Sequence, residues 1–133
     1  DQDLAGERAA DWTARAYLDA LRLGVSRVYW YRWENGFNDL VGIQMNAQAP
    51  GATAYANLED WIVGATFGGC TTKGKAVTCS FTKDGTPFTI VYSDSGKPVT
   101  FKTKGATRAC DVTGGCTAVS GKTIRTDGVV RLS

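Results

Sequence analysis

The 133-residue chain has no histidine. That excludes Ser-His-Asp and Cys-His nucleophilic catalysis and removes the commonest zinc ligand sets. Any chemistry must rest on carboxylates, tyrosines, lysines or thiols. No apolar run approaches the ~18 residues that a membrane span needs. The opening residues, DQDLAGERAAD, are polar and acidic and do not read as a signal peptide. With no initiator Met, Asp1 is expected to be a processing site or a cloning boundary. No cysteines are spaced Cys-x-x-Cys, and no acids alternate along a loop as a calcium site requires, so neither metal nor cofactor is expected. Charge runs are missing too. The net charge of +2 divides into −2 over residues 1–49 (seven acids, five bases) and +4 over residues 50–133 (six acids, ten bases). Its lysines are scattered, whereas a nucleic-acid footprint is clustered, so no nucleic-acid partner is expected. There is no internal repeat and no low-complexity tract.

What remains is an ordinary globular composition, 43% hydrophobic and 21% charged, sized for one modest domain or two small units. Four cysteines, Cys70, Cys79, Cys110 and Cys116, all lie in the second half. Three pairings are open to them. The local one, Cys70–Cys79 with Cys110–Cys116, is favoured because each pair flanks a glycine-containing turn between extended segments. Two such staples point to a secreted or extracytoplasmic protein.

Residues 4–23 read as a helix. Ala10, Ala14, Tyr17, Leu18 and Leu21 repeat at helical spacing, and Arg8, Asp11, Arg15, Asp19 and Arg22 form an opposite face expected to be solvated, with Asp11 and Arg15 at i,i+4. Gly24 is the stop signal. The next stretch, RVYWYRWENGFND (27–39), is the densest in aromatic and polar groups. Its first part predicts a strand over 27–33, with Val28 and Trp30 on one face and Tyr29 and Tyr31 on the other, and Tyr29 in a core. Such two-sided apolar strands belong to parallel sheets covered by helices. LVGIQM (40–45) is a second candidate strand, QAPGAT a loop, and 54–65 a second amphipathic helix.

After Phe67 the rhythm becomes short alternating segments separated by Lys-Gly, Asp-Gly, Ser-Gly and Gly-Gly pairs. That is an antiparallel hairpin pattern. The boundary falls near 65–67, dividing the chain into 1–65 and 66–133, and no flexible linker separates the two parts. A lone strand at 27–33 leaves its backbone groups unpaired. Either it forms a 28–45 hairpin, or it needs partner strands from an N-terminal segment outside this chain.

ARAYLDALRLGVSRVYWYRWENG, LVGIQ and ATAYANLEDWIVGATF together resemble the end of the (β/α)8 barrel of clan A glycoside hydrolases, the secreted cellulase and xylosidase type. The tail from FTIVYSDSGKPVTF to DGVVRLS is similar to the small C-terminal β-domain of those enzymes. The resemblance implies a fold of α/β plus all-β character: the last α-β-α elements of a barrel (1–65), then a small antiparallel β-sandwich (66–133). It implies the C-terminal portion of a glycosidase that cleaves O-glycosidic bonds of a poly- or oligosaccharide by a retaining two-glutamate mechanism. Both glutamates would lie upstream of Asp1, so this chain alone lacks the catalytic carboxylates. The implied partners are a carbohydrate substrate and the N-terminal barrel segment.

By the same resemblance Trp30 ends the last barrel strand and floors the subsite where the bond breaks, with Tyr31, Arg32, Trp33, Glu34 and Asn35 in the following loop at the rim. Phe37 is a further aromatic candidate. The competing reading of Trp30 is a packed aromatic core. The competing class of function is a non-catalytic α+β module that binds glycan or protein through the aromatic loop 30–37. Glu34 and Asp39 lie five residues apart in a loop and do not define a catalytic pair. Asp84, Asp94, Asp111 and Asp127 sit at or beside glycine turns, where Asp is structural. The aromatics of the β region, Phe67, Phe81, Phe88, Tyr92 and Phe101, do not form an exposed binding platform.

Overall fold

The computed structural model describes residues 6–30, 43, 45, 46 and 48–133. Helix α1 runs Gly6–Arg22. It ends as its glycine predicts: Gly24 takes φ +76°, its N–H bonds to the Leu21 carbonyl, and Val25 N–H reaches back to Ala20. These two bonds are a Schellman stop. Helix α2 runs Pro50–Ile62 and so starts earlier than expected, inside the predicted QAPGAT loop. The proline stands in the first turn, where its fixed φ suits a helix and its missing N–H costs nothing. Small residues then let α2 approach α1: Gly51, Ala52 and Ala54 are buried on one side and Ala9, Ala10 and Ala14 on the other.

Eight strands follow: β1 Thr66–Lys73, β2 Ala76–Lys83, β3 Thr86–Ser93, β4 Val99–Lys102, β5 Arg108–Asp111, β6 Cys116–Ala118, β7 Thr123–Thr126 and β8 Val130–Leu132. The Asp84-Gly85 pair between β2 and β3 has φ of 51° and 76°, the two left-handed positions of a type I′ hairpin turn. Six strands form one antiparallel sheet in the order β1-β2-β3-β8-β5-β6, and β4 pairs with β7 in a separate ribbon. Strand β8, the last in the chain, inserts between β3 and β5.

Both disulfides follow the local pairing. Cys70 faces Cys79 across β1–β2, and Cys110 faces Cys116 across β5–β6. A bulge between Phe67 and Gly69 sets the first register, with Gly69 at φ +97°.

The six-stranded sheet has two covered faces. Val77, Cys79, Phe81, Phe88, Ile90 and Tyr92 alternate along β2 and β3 and pack against Ala10, Ala14, Leu18, Ala54, Leu58 and Trp61 of the helices. On the other face Val91 and Leu132 pack with Phe101, and Val99 and Ile124 of the ribbon close that cluster. The layers are therefore helices, sheet and two-stranded ribbon. Opposite the helices stand two strands rather than a second full sheet.

Residues 27–30 form no ladder among the described residues, and Tyr29 is 80% exposed instead of buried. The rest of the expected 27–33 strand lies outside the described residues. Among the described residues no strand flanks this segment, while Trp30 packs against Ala9, Ile43 and Met45. Of the expected 40–45 strand, Ile43 and Met45 are described, and both are buried outside any strand.

Candidate functional site

The aromatic site begins where α1 meets α2. Tyr17 of α1 and Tyr55 of α2 meet edge to face at 5.4 Å, and Trp30 stacks on Tyr17 at 6.3 Å and 23°. Offset stacked and edge-to-face geometries suit the ring quadrupoles. Ala9, Ile43 and Met45 close the cluster from inside. Thr13 donates its hydroxyl to the Ala9 carbonyl, the local bond that satisfies a buried hydroxyl in a helix. Burial pushes the Tyr17 hydroxyl pKa up, and the neighbouring Tyr55 adds to the shift. Tyr17 therefore stays protonated and works as a packing ring. Trp30 is half-buried, and its indole N–H finds no acceptor among the described residues.

Trp30 is thus placed between a core and an edge. Its companions in the expected site, Tyr31, Arg32, Trp33, Glu34 and Asn35, lie outside the described residues, as do Phe37 and Asp39. The β-region aromatics are inward: Phe81, Phe88, Tyr92 and Phe101 are buried, Phe81 stacks on Phe88, and Phe67 tilts against Phe81.

Beyond the exposed Arg8, the charged face of α1 does not point into solvent. It docks on the β region, residue by residue. Asp11 accepts the Val129 N–H at 2.8 Å, Arg15 donates to the Asp94 carbonyl at 2.9 Å, and the Tyr92 hydroxyl donates to Asp19 at 2.7 Å. Arg22 pairs with Asp19 at 2.9 Å and reaches Asp94 at 3.6 Å. Asp11 and Arg15 do not form the predicted i,i+4 ion pair, because backbone groups of the sheet loops engage both side chains instead. From the chain alone, a helix face that bonds a sheet edge looks the same as one that bonds water.

The docking leaves a cleft of about 200 Å³ lined by Arg8, Asp11, Trp12, Arg15, Ser95 and Asp127. The Asp11 carboxyl is held above its usual range of 3.8, chiefly by burial, against the Val129 hydrogen bond; Asp127 and Glu7 add to the rise, and Arg15 opposes it. Sequence reasoning passed over Trp12. The available signal was its place off the Ala10–Ala14–Leu18 stripe, where a large apolar ring has no core to enter.

A larger groove of about 500 Å³ opens beside the 103–106 turn, lined by Ser80, Thr82, Thr89 and Lys104 among others. It holds no acid–base pair. Among the described residues, no three His, Cys, Asp or Glu side chains converge as a metal ligand set, and no helix is long and apolar enough to cross a membrane.

No protein-family model matches the sequence. Nor does any curated protein. Among solved structures, the chain superposes on a family 39 glycoside hydrolase from the gut symbiont Bacteroides cellulosilyticus WH2, with a TM-score of 0.72 and 21% identity. The fold is shared. The match covers 94% of this chain and 29% of that chain, so this sequence spans less than a third of the protein it resembles. Helices and β layers both fall within so complete a coverage.

Proposed function

We propose that this chain is the C-terminal part of a secreted glycoside hydrolase. The observation that carries the reading is the superposition of 94% of the chain on a glycoside hydrolase at a TM-score of 0.72. On this reading residues 1–65 supply the last α, β and α elements of a (β/α)8 barrel, and residues 66–133 form the β-domain packed against it. The barrel strands that precede them, in the same polypeptide or cleaved from it, carry the acid/base and nucleophile glutamates of a retaining mechanism acting on a poly- or oligosaccharide.

The residues of this chain then bind and orient. Trp30 presents a flat apolar ring to the C–H face of a sugar. Tyr31, Arg32, Trp33, Glu34 and Asn35 form the rim and offer donors and acceptors to its hydroxyls. One feature supports Trp30 in this role: its half-buried place at the edge of the aromatic cluster. The two disulfides support an oxidising destination.

The test is made on the natural, complete polypeptide. Its intact mass and the sequence before Asp1 are determined, and hydrolysis of neutral aryl glycosides and oligosaccharides is assayed. Trp30→Ala is expected to lower kcat/KM at least about tenfold, a loss of about 1.4 kcal/mol of transition-state binding, while the β-domain keeps its thermal transition. Unchanged turnover in the variant overturns the subsite. A natural product that is this chain alone, folding as a cooperative monomer, overturns the barrel reading.

A further inference from the structure

The cleft between α1 and the β layers is separate from the aromatic loop, and its composition is unusual. Trp12 is 42% exposed on a helix whose apolar stripe points elsewhere. The guanidinium of Arg15 lies 4.3 Å from the Trp12 ring centroid, so one face of the indole is backed by a cation. Arg15 is itself fixed: it is 5% exposed and bonded to the Asp94 carbonyl. Yet its Nε has no acceptor among the described residues, and no carboxylate among them lies within ion-pair distance of it.

Around that backed ring stand Arg8, Asp11, Asp127 and Ser95. Two guanidinium groups face two carboxylates, so the cleft favours neither a phosphate nor a cation. What it offers in quantity is hydrogen-bond donors, hydrogen-bond acceptors and one flat apolar surface. Hydroxyl groups both donate and accept, and a pyranose ring adds a C–H face to stack on an indole. The volume of about 200 Å³ lies below the range of drug-sized pockets and suits a single sugar residue of a longer chain.

We propose that this cleft is an auxiliary binding site for one residue of a neutral glycan, with Trp12 as the stacking platform and Arg8, Arg15 and Asp127 as its polar contacts. The site lies on the junction of α1 with the β layers and does not depend on the barrel reading. In a hydrolase it would hold a polysaccharide chain beside the catalytic domain. In a protein without hydrolase activity it would still bind.

The experiment is affinity electrophoresis of the chain through gels containing soluble neutral polysaccharides (xylan, β-glucan, mannan). Tryptophan fluorescence titration with the matching oligosaccharides follows, on the wild type, Trp12→Ala, Trp12→Phe and Asp127→Asn. Wild type is expected to be retarded by at least one of the glycans. Trp12→Ala should weaken binding at least tenfold, Trp12→Phe less, and Asp127→Asn severalfold. Thermal transitions of all three should stay near wild type, because Trp12 is exposed. If Trp12→Ala is unstable, the Trp12→Phe and Asp127→Asn results decide. No retardation in any neutral glycan overturns the proposal, and so does retardation that survives Trp12→Ala. Binding lost in Trp12→Ala while the complete protein shows no glycosidase activity sinks the hydrolase reading and leaves this site standing.

Discussion

Tyr92 ties the sheet to α1 through its hydroxyl. The residue is fully buried, and its O–H donates to Asp19, which also holds Arg22. Burial first and the Asp19 bond second push its pKa well above the ordinary phenol value of 10.0. A raised pKa means that the protonated form is the one that stabilises the fold. That increment is complete below pH 10 and is lost as pH rises through the folded value. Tyr92→Phe should therefore cost about 1–2 kcal/mol at neutral pH by chemical denaturation. Its disadvantage should shrink as the pH passes 10; a constant gap up to pH 11.5 would refute the linkage. Asp11 obeys the same sign rule at the acidic end. Its carboxyl is raised from 3.8, chiefly by burial, so its favourable contribution is complete below that value and fades as the pH climbs past the folded one. Asp11→Asn keeps an oxygen for the Val129 N–H and removes the buried charge. It should equal or exceed wild-type stability at pH 7 and lack the wild type's decline between acid and neutral pH. Gly128 makes that carboxylate's seat: a Cβ there would lie 2.7 Å from both Asp11 oxygens. Gly128→Ala should cost about 1–3 kcal/mol by overpacking, and adding Asp11→Ala should recover part of it. Additive losses in that double-mutant cycle would show that the contact is not the cause.

At the scale of elements, the two disulfides differ in what they hold. Both close edge hairpins, but Cys70–Cys79 reaches the fully buried Cys79 of β2, whereas Cys110–Cys116 ends on the exposed Cys116 of β6. Their sequence separations of 9 and 6 give similar chain-entropy contributions, about 2–3 kcal/mol each. The Cys70→Ala/Cys79→Ala pair should lower Tm more than the Cys110→Ala/Cys116→Ala pair, because it also removes sulfur from the core. Equal shifts would assign both effects to the unfolded chain. The hairpins were legible because each turn carries its own chemistry, as Asp84-Gly85 does between β2 and β3. Local pairing of the cysteines was legible for the same reason. The place of β8 between β3 and β5 was not, because no turn residue encodes a long-range insertion. Nor was the docking of α1's charged face: Asp11, Arg15, Asp19 and Arg22 have the spacing of a solvated stripe, and only the fold supplies Val129, Asp94 and Tyr92 as partners. The start of α2 was missed because PGAT has turn composition, while Pro50 in the first helical turn is a start signal. Trp30 was legible as an aromatic at the edge of something; its expected companions, residues 31–35, lie outside the described residues.

At the scale of the whole molecule, the segment after α1 is where sequence pattern and described structure part. Val28 is 36% and Tyr29 80% exposed, on a stretch whose composition is that of a buried strand. The backbone of residues 27–30 makes no ladder among the described residues. Local propensity for an extended chain is there, but a strand becomes stable only through the neighbours that satisfy its N–H and C=O groups and cover both its faces. The helices do not have this difficulty, because Ala10, Ala14 and Leu18 already share a core with the sheet. Two levels of stability should follow. The helix–sheet body should unfold cooperatively, while residues 27–30 open locally at almost no cost. On the proposed reading, upstream barrel strands supply the missing ladder. Hydrogen exchange separates the two situations. In this chain alone, the amides of Arg27 to Trp30 should exchange within seconds, while those of Ile90 to Tyr92 are protected for hours. In the complete polypeptide, the same four amides should gain at least about a hundredfold protection, and Tyr29 should become inaccessible to modification of its ring. Unprotected amides at 27–30 in the complete polypeptide would mean that this segment is a surface loop, and Trp30 could not then terminate a barrel strand.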